Sequence, residues 1–155
     1  MYKILKESFF MEEFLKQLDP SLRLVEYQYK GKNLIIRCEM ARTEKVCSYC
    51  GNKSSKIKET YERKLKDLPF GDFSVTLILL IHRYFCGNEN CKSGSFTEAI
   101  PFIVPYARIT NRLGNHILIN SIGTSAIGLE RTFKQTHIDI SDNTINRIIK
   151  KNKNQ

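Results

Sequence analysis

Four of the five cysteines fall into two close pairs, Cys47-x-x-Cys50 and Cys86-x-x-x-x-Cys91, and no other feature of this chain restricts its fold so strongly. Zinc takes four soft ligands in a tetrahedron with Zn–S about 2.3 Å, and two thiolates spaced C-x-x-C can reach one ion from a single turn. The second pair must then come back to the first across the 86 − 50 − 1 = 35 residues between Cys50 and Cys86. That length suits a pair of antiparallel strands. Gly51, directly after Cys50, tolerates the backbone that a tight knuckle demands. Cys47, Cys50, Cys86 and Cys91 are therefore expected to hold one structural Zn2+.

Two rival roles for these cysteines stay open. A redox dithiol at Cys47 and Cys50 would want the pair at a helix N-terminus within a βαβ unit, whereas here polar residues and strand patterns follow. Unliganded packing is the other. A catalytic zinc keeps a water position and commonly uses His or carboxylate ligands, which this quartet lacks. His82, two residues before Tyr84, is expected on a strand face, and His116 and His137 sit in no motif. An odd cysteine count cannot pair completely, so a disulfide framework is a poor fit. Lys3, Lys6, Glu7, Glu12 and Glu13 interrupt the apolar start, which breaks any signal-peptide core, and a cytoplasmic location is expected. The uncharged run from Leu113 to Leu129 carries several polar residues and is short for a span, so no membrane helix is expected.

The chain of 155 residues carries 25 Lys+Arg against 16 Asp+Glu, a formal charge of +9. Residues 1–41 hold 7 basic and 6 acidic groups, 42–108 hold 11 and 7, and 109–155 hold 7 and 3. The excess thus lies in the last two thirds and favours a polyanionic partner, although a solvated basic surface would look the same. At 41% hydrophobic and 26% charged, the composition is that of a globular chain rather than a disordered tail.

Hydropathy period places the elements. Met1 to Asp19 reads as a short helix with Phe10, Phe14 and Leu18 at four-residue spacing, closed by Pro20. Leu22–Lys30 and Asn33–Met40 read as a hairpin with Gly31 at the turn, and Leu34, Ile36, Cys38 and Met40 share its inner face. A basic strand around Tyr61–Leu68, a turn at Pro69-Phe70-Gly71-Asp72 and a long apolar strand Phe73–Phe85 follow. After Pro101 and Pro105 the period becomes helical. Thr110 can cap a helix with Ile109, Leu113 and Ile117 inward, a second short helix fits Ser125–Gln135, and Ser141 caps a third from Asp142 to about Lys151. The fold class is α+β, a small β-rich zinc-binding domain followed by an all-α helix-turn-helix domain. Residues 1–41 are expected to pack on the zinc domain at 42–105, and 106–155 to form the helix-turn-helix.

On the last helix Asn143, Asn146, Arg147 and Lys150 fall at i, i+3, i+4 and i+7, opposite Ile145, Ile148 and Ile149. Such a face suits a major groove, where Arg forks to guanine and Asn pairs with adenine. It also suits an ordinary amphipathic surface helix. Arg108, Arg112, Lys134 and Lys151 are candidate phosphate contacts, which position without specifying sequence.

Cys47-x-x-Cys50-Gly51, Arg63-x-Leu65-x-Asp67-Leu68-Pro69, Arg83-Tyr84-Phe85-Cys86-x-Asn88-x-x-Cys91 and Phe96-Thr97-Glu98, in that order, resemble the N-terminal part of the ISL-three family of bacterial insertion-sequence transposases. Ile140-Ser141-x-x-Thr144-Ile145-x-Arg147 resembles that family's helix-turn-helix. The resemblance spans most of Arg42 to Lys151, and the first forty residues match loosely. It implies a zinc-binding domain and a helical domain that bind double-stranded DNA at the inverted repeats of the element ends; Thr144, Arg63 and Arg83 are further candidate DNA contacts. Such transposases continue into a domain whose three acidic residues hold divalent metal, and Glu130, Asp139 and Asp142 are too few and too local to replace it, so no catalysis is expected. A homodimer and a full-length transposase are the protein partners to consider. Two alternatives remain: an RNA or single-strand binder using Tyr61, Arg63, Arg83 and Tyr84, and a protein-interaction module scaffolded by zinc.

Overall fold

The computed structural model describes residues 2–154, with side chains from Glu7 onward, so Met1 and Gln155 of the expected elements lie outside the described residues. Seven strands and four helices make an α+β fold. Helix α1 (Tyr2–Lys16) leads into the hairpin β1 (Leu22–Lys30) and β2 (Asn33–Met40). Then come the short β3 (Lys45–Val46) and β4 (Lys53–Ser54), the long β5 (Ile57–Phe70) and β6 (Phe73–Phe85), and β7 (Ser95–Thr97). Helices α2 (Asn111–Asn120), α3 (Ala126–Gln135) and α4 (Asp142–Lys153) complete the chain.

The main sheet runs β1-β2-β6-β5, with β7 added to β6, and β3 and β4 form a separate ribbon. Two-residue turns force both long hairpins to be antiparallel. Each has glycine at its first turn position, Gly31 at φ 60° and Gly71 at φ 57°, where a side chain would be strained. Alternation then does what a period of two requires: Leu34, Ile36, Cys38 and Met40 are buried on β2, as are Val75, Leu77, Leu79 and Ile81 on β6. Among the described side chains of α1 the buried ones are Met11, Phe14 and Leu15, while Phe10 is half exposed at 51%. The buried stripe is therefore i, i+3, i+4 from Met11, and only Phe14 of the expected four-residue series is buried.

The chain divides into two compact units: Met1–Glu26, Arg37–Lys64 and Ile78–Pro101 form one, and Tyr27–Ile36, Leu65–Leu77 and Phe102–Gln155 the other. Neither is continuous in sequence. The first holds the cysteine pairs and a small core of Cys47, Tyr84 and Phe96. The second holds the three C-terminal helices around Leu113, Ile117, Leu129, Phe133, Ile138, Ile140 and Ile145, with Ile148 and Ile149 packed at its edge. Burying each such side chain is worth roughly 1.5–3 kcal/mol, and this apolar centre holds helices of 10 to 12 residues that would be marginal alone.

Local chemistry sets the helix ends. Thr110, Ser125 and Ser141 each accept from a backbone amide three residues on, as N-caps do. The end of α3 is closed by the Ile138 amide donating to the Phe133 carbonyl at 2.8 Å, with His137 between them at φ 62°. This six-to-one bond, with Ile138 and Phe133 in the same core, is a Schellman closure, and it turns the chain toward α4.

Candidate metal centre

Two knuckles build the site. Strands β3 and β4 pair Lys45 with Ser54 and Val46 with Lys53, so the chain leaves β3 straight into Cys47. The Cys47 amide donates to the Asn52 carbonyl at 2.8 Å and the Gly51 amide to the Cys47 carbonyl at 2.9 Å, with Gly51 at φ 74°. Gly51 thus fills the left-handed position the turn requires. The second knuckle stands on the β6–β7 pairing, Arg83 with Thr97 and Phe85 with Ser95. Its Cys86 amide donates to the Gly94 carbonyl and its Cys91 amide to the Asn88 carbonyl, both at 2.9 Å. The β5–β6 hairpin is the antiparallel return that the spacing between the cysteine pairs suggests.

The four sulfur atoms lie within 4.8 Å of one another, Cys47 Sγ to Cys91 Sγ being 3.9 Å and Cys50 Sγ to Cys86 Sγ 3.4 Å. A tetrahedron with Zn–S of about 2.3 Å has S–S edges of about 3.8 Å, so the quartet fits one closed tetrahedral ion. All five cysteines are free of disulfides, and Cys38 is fully buried in the core, apart from the quartet. The Asn52 backbone amide, helped by hydrogen bonds from Cys86, Asn88 and Cys91, lowers the Cys50 thiol to about 7 against the effect of burial. At Cys86 the Asn88 amide acts to lower the thiol, but burial and hydrogen bonds to Cys50, Cys91 and Cys47 push it up to about 12. A bound zinc ion would take the place of thiol protons here, because thiolate is the ligand form. The centre holds one structural zinc.

A buried polar network lies in the same unit. His82, 1% exposed, meets Thr60 Oγ1 through Nδ1 at 2.8 Å and Glu39 Oε2 through Nε2 at 3.0 Å. A carboxylate only accepts, so Nε2 donates to Glu39. The Glu98 carboxylate accepts the His82 amide at 2.8 Å, while its other oxygen lies 3.7 Å from Lys45 Nζ and has no hydrogen-bond partner. Burial raises the Glu98 pKa, the His82 amide and Lys45 acting against it. The network pins β7 to β6 and hence the second knuckle. Tyr84 is 1% exposed with its ring stacked 5.7 Å from Phe96, so it offers no stacking surface to a nucleic acid, which corrects its place in the single-strand alternative.

The expected DNA contacts are scattered, apart from those on α4. Asn143, Asn146, Arg147, Lys150 and Lys151 are exposed there, and Ile145 opposite them is fully buried. Thr144 is half-buried, its hydroxyl 3.1 Å from Ser141 Oγ. Arg108 is exposed, and its carbonyl accepts the Lys66 amide at 2.9 Å. Arg112 is bound to the buried Asp67 through two nitrogens, Nε lying 2.9 Å from Oδ1. Arg83 pairs with Glu59 at 3.1 Å, Lys134 pairs with Glu130 at 3.0 Å, and Arg63 is half-buried. Asp67, which also accepts the Thr110 hydroxyl at 2.6 Å, ties the start of α2 to β5. Its sequence signal was an acid amid the apolar Leu65, Leu68 and Pro69, without any sign of its partners.

Residues 43–91 match the family model described as the zinc-finger of transposase IS204/IS1001/IS1096/IS1165. The transposase for insertion sequence element IS1001 of Bordetella parapertussis is 30% identical over 83 residues, covering 54% of this chain. The chain spans 20% of that relative's length. No solved structure matches the chain. The match encloses all four cysteines, so the metal-site region is similar to that zinc-finger.

Proposed function

We propose that the chain is the zinc-stabilised, sequence-specific DNA-binding module of a transposase, which recognises terminal inverted repeats in the cytoplasm and performs no strand cleavage itself. The observation that carries this reading is α4: a helix whose Asn143, Asn146, Arg147 and Lys150 are all exposed while Ile145 is sealed into the core. None of Arg147, Lys150 and Lys151 has an ion-pair partner among the described residues, so their charge is available to a duplex. In this reading α3, the Schellman-closed turn and α4 are the helix-turn-helix, and Arg147 forks to guanine while Asn143 and Asn146 address adenine. Arg108 serves as a phosphate contact. Arg112, held by Asp67, orders α2 rather than meeting DNA directly.

Support for the absence of cleavage comes from the C-terminal acids, which are engaged one by one. Glu130 pairs with Lys134 and accepts the Asp142 amide, Asp139 pairs with Lys66, and Asp142 accepts the Asn143 amide. Two-metal phosphoryl transfer needs carboxylates converging on one point. The similarity to a transposase of Bordetella parapertussis supports the proposed context; DNA ends, a full-length transposase and a second copy are the proposed partners.

Selection of a preferred duplex from a random pool, followed by titration with Arg147→Ala, tests the proposal. The variant is expected to lose about 1–3 kcal/mol on the preferred site and to relax specificity at one base pair. Equal binding of preferred and scrambled duplexes by the unaltered chain at every salt concentration refutes it.

A further inference from the structure

Beside the zinc centre, Lys56 Nζ lies 5.2 Å and Lys58 Nζ 5.7 Å from the centroid of the same ring, Phe85. Neither lysine has an ion pair among the described residues. Five other cations of the same unit, Arg37, Arg42, Lys45, Lys53 and Arg83, each face a carboxylate. Each ammonium gains about 0.5–1 kcal/mol of cation–π attraction at such an exposed site, so one ring holds two positive charges beside it. A phosphate beside them would supply the counter-charge that no carboxylate supplies among the described residues.

The ring is itself held by the metal ribbon. The Phe85 amide donates to the Lys56 carbonyl at 2.9 Å, and the next residue, Cys86, has its sulfur 3.4 Å from that of Cys50. Tyr84 and Phe96 on the same ribbon are buried against Cys47, whereas Phe85 is 39% exposed and Tyr49, next to Cys50, is 68% exposed. The rings that stabilise the knuckles therefore point inward, and Phe85 and Tyr49, beside the two nearest sulfurs, do not.

We infer that Lys56 and Lys58, gathered on Phe85 at the rim of the zinc centre, form a second DNA contact that grips the phosphate backbone of a duplex. It adds to the α4 contact, reads no bases, and shares with the proposed function only the assumption that the partner is DNA.

The test uses the zinc-loaded full chain and a mixed-sequence duplex, with affinity followed from 50 to 200 mM salt. Each phosphate contact contributes about 0.9 to the slope of log K against log salt, so the double variant Lys56→Gln, Lys58→Gln is expected to flatten it by about 1.8. The charge-matched control Lys30→Gln, Lys32→Gln is expected to leave the slope nearly unchanged, and Lys56→Arg, Lys58→Arg to restore it. Zinc content by mass spectrometry must equal that of the unaltered chain in all three. An unchanged slope in the first variant, or the same flattening in the control, overturns the inference. A loss confined to single-stranded DNA of the same length also overturns it. Arg147→Ala in parallel reports on α4 alone, so failure of the recognition helix and failure of this contact are separable.

Discussion

Cys38 on β2 and Cys86 directly after the neighbouring β6 are chemically identical side chains, and their roles differ entirely. Cys38 is a small core residue, and Cys86 has its sulfur among three others. Because the unfolded chain has no preformed site, zinc binding energy is folding energy. Cys86→Ser is expected to lower the melting temperature far more than Cys38→Ser and to abolish stoichiometric zinc by mass spectrometry; similar shifts for the two contradict the ligand assignment. Glu98 supplies a pH-dependent prediction. Its folded pKa is raised above the unfolded value, mainly by burial, so ionising it disfavours the fold: stability relative to a neutral side chain falls as pH rises through the raised pKa. Glu98→Gln is therefore expected to gain stability relative to the unaltered chain between pH 4.5 and 7, with the zinc content of both monitored. A difference between the two urea-denaturation profiles that stays flat or runs the other way excludes this account of Glu98. The zinc quartet was legible in the sequence because only cysteine spacing was needed. The partners of Glu98 and Asp67 were not, since they come from residues that the chain order keeps well apart.

Among the elements, the clearest departure from intrinsic preference is the end of α3, where His137 adopts φ 62° at the position glycine usually takes. A non-glycine residue there costs roughly 1–2 kcal/mol of backbone strain, and the His137 contact that could offset it is a 3.9 Å approach to the exposed Asp72. His137→Gly is expected to raise stability by about 0.5–1 kcal/mol in urea denaturation, and destabilisation would show that the imidazole matters more than the backbone. Long elements were readable from their periods: β1, β2 and β6 have the expected bounds, and α2 and α4 start at the expected caps, Thr110 and Ser141. The two- and three-residue strands β3, β4 and β7 were not readable, because a segment that short has no measurable period and exists only through its pairing.

For the molecule as a whole, the division into two units predicts an ordered response to metal removal. In the first unit Cys47, Tyr84 and Phe96 form a small cluster beside the metal site, while the helices of the second rest on seven buried apolar residues of their own. Chelation is expected to abolish amide hydrogen-exchange protection in residues 43–56 and 86–98 before α2, α3 and α4 lose theirs; simultaneous loss would show that the two units unfold as one. The sequence alone determined what local chemistry determines: which residues alternate with period two, which recur at helical spacing, which glycines permit tight turns, and which four side chains can satisfy a soft metal ion. Only the tertiary structure decided that Arg112 clasps Asp67, that Tyr84 turns inward while Phe85 turns out, and that neither compact unit is a single stretch of chain. Those outcomes depend on strand pairing between distant segments, where burial and partner geometry override what any short stretch of sequence prefers.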